Sequence, residues 1–541
     1  MMFPYKQFKD PIYGYIQLPT EYVKNIIDTA EFQRLRRIVQ TSYSPLYSAS
    51  VHNRFIHSIG VYHLGTIACE SVFNDLKNCE QTKDLQDWDK IEKIFLLACL
   101  LHDVGHAPFS HTGEKYYLDE KGGYANLHNK LADSVGTEAF RNDIPNDSIA
   151  AAAHEIMSAI VALENFQSYF SDSFSKELFA RCITGYKYQD ESLNNSVLNC
   201  IISMLNSKVI DVDRLDYLIR DAYFTGFETV NIDYLRLLTA LTVTINDNVA
   251  TLGFNKNAIS VIENVVYAHD SERKWIQTHP IVLYDMYIIR HVIDKLEKKF
   301  STEENKLFSL ESLSLQGHTL QNGIKISLLC DDDIVHLLKL NYDDSLCAEY
   351  FSRNRRRHPI WKSEAEYKAY MPLKFGEDGK VFKELSIALS ETEKYMCKNS
   401  DSWIINESVI EKIENDLKSM DKSDDDVDAK SRKAQKDIKE KILKVIKTLK
   451  NYADNNGIDC DFVLLEASQF YSGFNKKDLL NIPIKFPQKA SSNTYPLEKV
   501  VSLLESSELE PKRFFYLYYK EGDIPIDKDE LCADLFKAFI Q

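Results

Sequence analysis

Apolar residues recur every three or four positions through most of residues 20–300, in segments such as EYVKNIIDTAEFQRLRRIV, VYHLGTIACESVF, IEKIFLLACLLH, AAHEIMSAIVALENF and VLYDMYIIRHVIDKL. That spacing lines apolar side chains along one face of a helix, so the region is predicted to be helical, with those faces packed together. Only 18 glycines and 14 prolines punctuate 541 residues, which favours long helices over a turn-rich β architecture. Two stretches depart from the pattern. Residues 115–150, containing DEKGGYANLHNK and RNDIPNDS, are polar without sustained periodicity and read as an insertion, either a surface loop or a lid. TLGF, flanked by asparagine and aspartate within 247–258, reads as a small β excursion.

Past residue 300 the character changes. Residues 405–455 are charged and helical, with Ile438, Ile442, Val445, Ile446 and Leu449 spaced to pack on a neighbour. Near the end, DFVLLEAS, NIPIKF and RFFYLYYK are strand-like, and EKVVSLLES and ELCADLFKAFI are helical. The expected fold is therefore mostly α. It has an all-helical body over 1–300 with an insertion at about 115–150, a helical extension over 301–404, the charged segment over 405–455 and a small α+β domain over 456–541.

A hydrophobic fraction of 44% suffices for extensive cores and excludes wholesale disorder. The ten cysteines are scattered without a CxxC pair, several inside apolar segments such as FLLACLLH, and read as reduced structural thiols. MMFPYKQFKDPIYGY lacks the basic and apolar blocks of a leader, and no apolar run reaches membrane-span length, so a cytoplasmic location without membrane contact is expected. A formal net charge of −16 opposes broad attraction to nucleic acid. The basic run RNRRRHPIWK at 353–362 reads as a solvated face or an anion site.

Eight of the fourteen histidines lie between residues 52 and 154. There, HNRFIHSIGV and LLHDVGHAPFSH set His57 upstream of the adjacent His102 and Asp103. Imidazole nitrogen with carboxylate oxygen suits a borderline divalent ion, and three ligands call for a fourth. The best candidate is Asp213 in SKVIDVDRLDYLIRDA, where Asp213, Asp216, Tyr217 and Arg220 recur at helical spacing opposite an apolar stripe of Val212, Leu215, Ile219 and Ala222. Arg54, three residues before His57, faces the same space and can fork onto phosphate oxygens. His52 and His63 read as structural or solvent-exposed, and His128 as a surface residue.

The order H…HD…D, with the His154-Glu155 dipeptide and IDVDRLDYLIRD, resembles the HD-domain superfamily. Within it the chain is most similar to the deoxynucleoside triphosphate triphosphohydrolases, which include the sterile-alpha-motif/HD enzyme of animals and bacterial dGTPase-like relatives. The resemblance runs from DPIYGYIQLP through DTAEFQRLRRIVQ to LYDMYIIRHVID, about the first 300 residues, and no sterile-alpha-motif domain is expected. It implies one transition metal (Fe, Mn, Zn, Co or Ni) on His57, His102, Asp103 and Asp213, with Mg²⁺ on the substrate phosphates. It places His106 and His111 around the α-phosphate, and Glu114 where the family has an aspartate supporting a catalytic histidine matched by His154. Gln40, Tyr217 and Asp221 match positions near the sugar; Arg54, Arg214 and Arg290 match positions near the phosphates; Arg236 matches an allosteric arginine. The implied reaction converts a dNTP and water to deoxynucleoside and tripolyphosphate, in a homo-oligomer (dimer or tetramer) responsive to an activating nucleotide. Nucleotide-pool control and antiviral defence are both compatible roles. Thr41, Asp294, Lys298 and Lys299 depart from the family's nucleoside pocket, so base preference is not carried over. Two other readings stand beside this one: an HD phosphodiesterase or nuclease acting on single-stranded nucleic acid or a nucleotide signal, and a nucleotide-sensing module without turnover.

Overall fold

The computed structural model describes residues 4–118, 123–145, 151–190, 192–208, 210–227, 231–302, 305–320, 323–340, 345–376, 379–398, 403–420, 429–468, 476–487, 492–501, 513–520 and 525–540. The chain divides into two compact units. One comprises Met1–Arg273, Leu296–Leu337 and Ser472–Ser507; the other comprises Lys274–Lys295, Leu338–Tyr471 and Glu508–Gln541. Helices dominate both, as the periodicity predicts. Among the described residues no helix is long and apolar enough to cross a membrane.

In the first unit the helix Arg54–Asn78, capped by the Asn53 side chain on the Ile56 amide, is buried over most of its circumference. It packs against Trp88–Leu101 and Val212–Thr225. Val212–Thr225 is capped by Asp211 and ends at Gly226 in the left-handed conformation, the usual glycine stop. Val212, Leu215 and Ala222 of its expected apolar stripe are buried, but Leu218 rather than Ile219 completes it. Asp216, Arg220 and Asp221 are buried as well, so this helix is enclosed on both faces. An antiparallel hairpin, Tyr5–Asp10 with Gly14–Pro19, adds strands that the helical reading did not foresee.

The expected 115–150 insertion contains the helices Ala125–Val135 and Glu138–Asp143. Leu127, Leu131, Ala132, Val135 and Phe140 bury a narrow apolar stripe, too sparse among polar neighbours to stand out as periodicity. His128 is half-buried, its Nε2 2.8 Å from the Tyr186 hydroxyl, rather than a free surface residue. Residues 119–122 and 146–150 lie outside the described residues.

The β excursion is the hairpin Leu241–Asn246 with Val249–Asn255. Pro483–Pro487 joins it in parallel, and Ser492–Pro496 completes a four-stranded sheet within the first unit. Val463–Ser468 and Arg513–Tyr519 pair antiparallel in the second unit, joined by His358–Pro359. Residues 456–541 are thus shared between the two units instead of forming one terminal domain. The expected EKVVSLLES helix is described only through the short turn Leu497–Lys499 and residues to 501; 502–512 lie outside the described residues.

In the second unit, Glu407–Met420 and Ala429–Asn456 supply the charged helices, with Ile442, Val445, Ile446 and Leu449 buried; residues 421–428 lie outside the described residues. Part of the basic run is internal. Arg356 donates to Asp285 at 2.8 Å, and Arg357 donates to Glu349 and to the Asp461 carbonyl. Two of its arginines are therefore consumed in buried pairs, and neither a wholly solvated face nor a run-wide anion site survives.

Candidate metal centre and active site

Four groups from three segments of the first unit converge. His57 comes from the first turn of Arg54–Asn78, His102 and Asp103 follow Trp88–Leu101, and Asp213 opens Val212–Thr225. The Nε2 atoms of His57 and His102 lie 3.2 Å apart, and Asp213 Oδ1 is 3.0 and 3.5 Å from them. Asp103 completes the cluster, with oxygens 3.6 Å from each Nε2. His57, His102 and Asp103 offer ligand atoms all within 4.8 Å of one another. Burial alone would lower the His57 imidazole, but hydrogen bonds to Asp213 and Asp216 push it up to about 9. Burial likewise works against His102, whose imidazole Asp103 and Asp213 raise. A pocket that favours a proton this strongly favours any cation. Asp103 Oδ1 is buried and accepts no hydrogen bond among the described residues, a costly state unless something positive sits beside it. The donor set fits a divalent ion.

The other imidazole nitrogens are already committed, which points both Nε2 lone pairs inward. His102 Nδ1 donates to the Cys99 carbonyl at 2.9 Å, and His57 Nδ1 to Asp216 Oδ2 at 2.7 Å. Asp216 also accepts from Arg220 Nε and Nη2 at 2.9 and 3.0 Å and from the Tyr13 hydroxyl at 2.8 Å. Arg220 Nη1 reaches Asp10 Oδ2 at 2.9 Å, while Asp10 Oδ1 caps the hairpin turn through the Ile12 and Tyr13 amides. Against burial, Arg220 and His57 hold the Asp216 carboxyl down to about 2. Gly60 makes this approach possible, because a Cβ there would lie 2.0 Å from Asp216 Oδ1 and 2.4 Å from Arg220 Nη2. Sequence reading had Asp216 and Arg220 on the right face but missed their support of His57. It also missed Asp10 and Tyr13, whose only signal was the DPIYGY string.

Beside the cluster lie His106, His111, Glu114 and His154. Glu114 Oε1 is 2.5 Å from His111 Nδ1 and 2.9 Å from His154 Nδ1. The His106 and His154 rings stack at 4.3 Å, and His106 Nε2 is 4.0 Å from Asp103 Oδ1. His154 rides on Ala153–Asn165, whose Ser158 hydroxyl accepts from the Gly105 amide at 2.9 Å. A Cβ on Gly105 would lie 2.4 Å from the Ser158 nitrogen, so only glycine lets the two segments meet. Burial opposes charge on His154, yet Glu114 raises its imidazole to about 9. Burial, Arg54 and His154 push His106 well below the ordinary value. Two stacked imidazoles are thus driven apart, one cationic and one neutral at pH 7.

Residues 54–219 match the HD domain family. The chain carries an HD domain. It is similar to the uncharacterized protein YwfO of Bacillus subtilis, 25% identical over 398 residues, covering 71% of this chain and 77% of that protein. It is also similar to the Dictyostelium discoideum homolog of the deoxynucleoside triphosphate triphosphohydrolase SAMHD1, 29% identical over 277 residues, covering 51% of this chain and 46% of that one. A solved structure of a hypothetical protein from Aquifex aeolicus shares the fold, with a TM-score of 0.53, 17% identity and 99% of both chains covered.

Around the HD centre, Arg54 donates to Asp103 Oδ2 at 2.8 Å, to the Ser110 hydroxyl at 3.0 Å and to the Gln40 carbonyl at 3.2 Å. Although burial raises it, the Asp103 carboxyl is held far below the carboxylate range by Arg54, His102 and His57. Gln40 is buried, and its Oε1 accepts no hydrogen bond among the described residues. Asp221 is buried against His52, whose Nε2 is 2.7 Å from Asp221 Oδ1 and whose ring stacks on Phe224 at 4.7 Å. His52 is therefore tied to a predicted sugar residue and not exposed. Arg214 and Tyr217 share the Asp213 helix; burial raises the Tyr217 phenol against the opposing charge of Arg214, with Glu272, Asp211 and Asp213 adding to the rise. Arg236 is exposed and donates to the Asn257 carbonyl at 2.7 Å. Arg290 belongs to the second unit.

Proposed function

We propose that this HD site hydrolyses deoxynucleoside triphosphates to deoxynucleoside and tripolyphosphate. The observation that carries the reading is the adjacency of the four-group His/Asp cluster and a histidine–glutamate cluster in which His106, 4.0 Å from Asp103, stacks on His154 at 4.3 Å and Glu114 lies 2.9 Å from His154. The likeness to proteins named as dNTP triphosphohydrolases supplies the substrate class. His57, His102, Asp103 and Asp213 would hold the ion. When bound, it supplies positive charge against a phosphoryl oxygen and acidifies water at the site. Arg54 and Arg214 are assigned to the triphosphate, which Mg²⁺ accompanies. Gln40, Tyr217 and Asp221 are assigned to the sugar. As water oxygen bonds to the α-phosphorus and the bond to the 5′-oxygen breaks, that oxygen needs a proton. His154, kept charged by Glu114, holds one, and His111 shares the same carboxylate oxygen. Neutral His106 beside Asp103 is suited to accept the proton that water loses.

A homo-oligomer gated by a second nucleotide, with Arg236 at the gating site, belongs to the same proposal. The test is chromatography of products after metal-replete protein meets each dNTP, singly and in mixtures, beside a His102→Ala, Asp103→Ala control. Deoxynucleoside and tripolyphosphate absent from the control are expected. Turnover of single-stranded DNA, RNA or cyclic nucleotides with no dNTP turnover would overturn the substrate assignment.

A further inference from the structure

Two segments outside the α-helices frame the HD centre, residues 38–40 and 106–111, the second running into the short 3₁₀ turn Ser110–Thr112. Phe109 and Ser110 both have left-handed backbone, with φ of 55° and 53°, a conformation disfavoured for residues bearing a side chain. Something must hold them there. The Ser110 hydroxyl donates to the Val39 carbonyl and accepts from Arg54 Nε, so this turn also seats the arginine assigned to phosphate.

The restraint comes from far along the chain. Asp331, buried at the start of the helix Asp331–Lys339, accepts the Phe109 amide on Oδ1 at 2.6 Å and the Val39 amide on Oδ2 at 2.9 Å. Two residues earlier, the Leu329 carbonyl accepts from the buried Arg34 at 2.8 Å, and Arg34 Nη2 donates to the Val104 and His106 carbonyls at 2.8 and 3.0 Å. Residues 329–331 therefore form a strap that holds the Phe109 and Val39 amides directly and, through Arg34, the Val104 and His106 carbonyls of the turn bearing His106 and His111. This strap lies outside the matched HD region.

We propose that Asp331 is a positioning residue for the HD site, clamping the Val39 and Phe109 amides so that His106, His111 and Arg54 face the metal cluster. The proposal rests on the hydrolase reading for its kinetic consequence but not for its structural one. Asn at 331 keeps the size but replaces one acceptor with a donor, which cannot serve an amide N–H.

The experiment compares full-length, metal-replete wild type with Asp331→Asn, Asp331→Glu and Asp332→Asn, measuring amide hydrogen exchange, bound metal and dNTP turnover. In Asp331→Asn, exchange at Val39 or Phe109 should quicken at least about tenfold, and kcat should fall about tenfold or more, with KM and bound metal within about twofold of wild type. Asp331→Glu keeps both acceptor oxygens and should restore part of the kcat. Asp332→Asn, which among the described residues loses the exposed Arg37 pair, should behave as wild type. Unchanged exchange at both amides would overturn the clamp, whatever the substrate is. Wild-type kcat in Asp331→Asn, or a loss matched by lost metal or lost folded protein, would overturn the positioning role. If wild type turns over no dNTP, the substrate reading fails and the exchange result still decides the clamp.

Discussion

His57 has one ring nitrogen fixed by Asp216 and the other aimed at the cluster, so a single carboxylate links metal affinity to stability. Asp216→Asn would leave Arg220 with a weakened buried partner. The expected loss is about 3 kcal/mol in unfolding free energy and roughly 10–100-fold in metal affinity, read by urea denaturation and metal competition; wild-type affinity would contradict the orienting role. His154 gives a pH prediction. Its folded value, about 9, lies above that of a free imidazole. Its contribution to stability is therefore complete below about pH 6.5 and lost as pH rises through about 9. Turnover should fall above pH 9, and Glu114→Gln should move that limb towards 6.5; an unmoved limb would remove Glu114 from the acid–base pair. The clustering of His57, His102, Asp103 and Asp213 was legible because ligand chemistry constrains residue type and motif order. The His52–Asp221 pair was not, since partners 169 positions apart leave no spacing signal.

At the level of elements, Arg54–Asn78 is enclosed by hairpin and helices, and its sequence is apolar around much of its circumference for that reason. Gly60 is the point of closest approach. Gly60→Ala should destabilise by about 3 kcal/mol, measured by denaturation, because the Asp216–Arg220 pair would have to move; a neutral effect would show that the pair can shift freely. Helices with strong stripes were legible. Ala125–Val135 was not, having one narrow stripe among polar residues, and neither was the Tyr5–Asp10 hairpin, whose mostly exposed first strand shows no clear alternation. The strand character of NIPIKF was visible, but its partner was not: the pairing with Val249–Asn255 is long-range, and local pattern does not encode it.

For the whole molecule, metal binding should appear as stability. An ion that binds only the folded protein adds about 2.7 kcal/mol at a hundredfold excess over its Kd. Calorimetry should show a higher melting temperature with Mn²⁺ or Fe²⁺, abolished in His102→Ala, Asp103→Ala; an equal rise in that variant would place the ion elsewhere. The net charge of −16 favours a small anionic substrate held by local arginines over a nucleic acid spread across the surface. The most direct test of the central claim is hydrolysis of dNTPs in heavy-oxygen water, with mass spectrometry of the products. Attack at the α-phosphorus predicts label in tripolyphosphate and none in the deoxynucleoside. Label in orthophosphate or pyrophosphate, or no product from any dNTP or mixture, would contradict it.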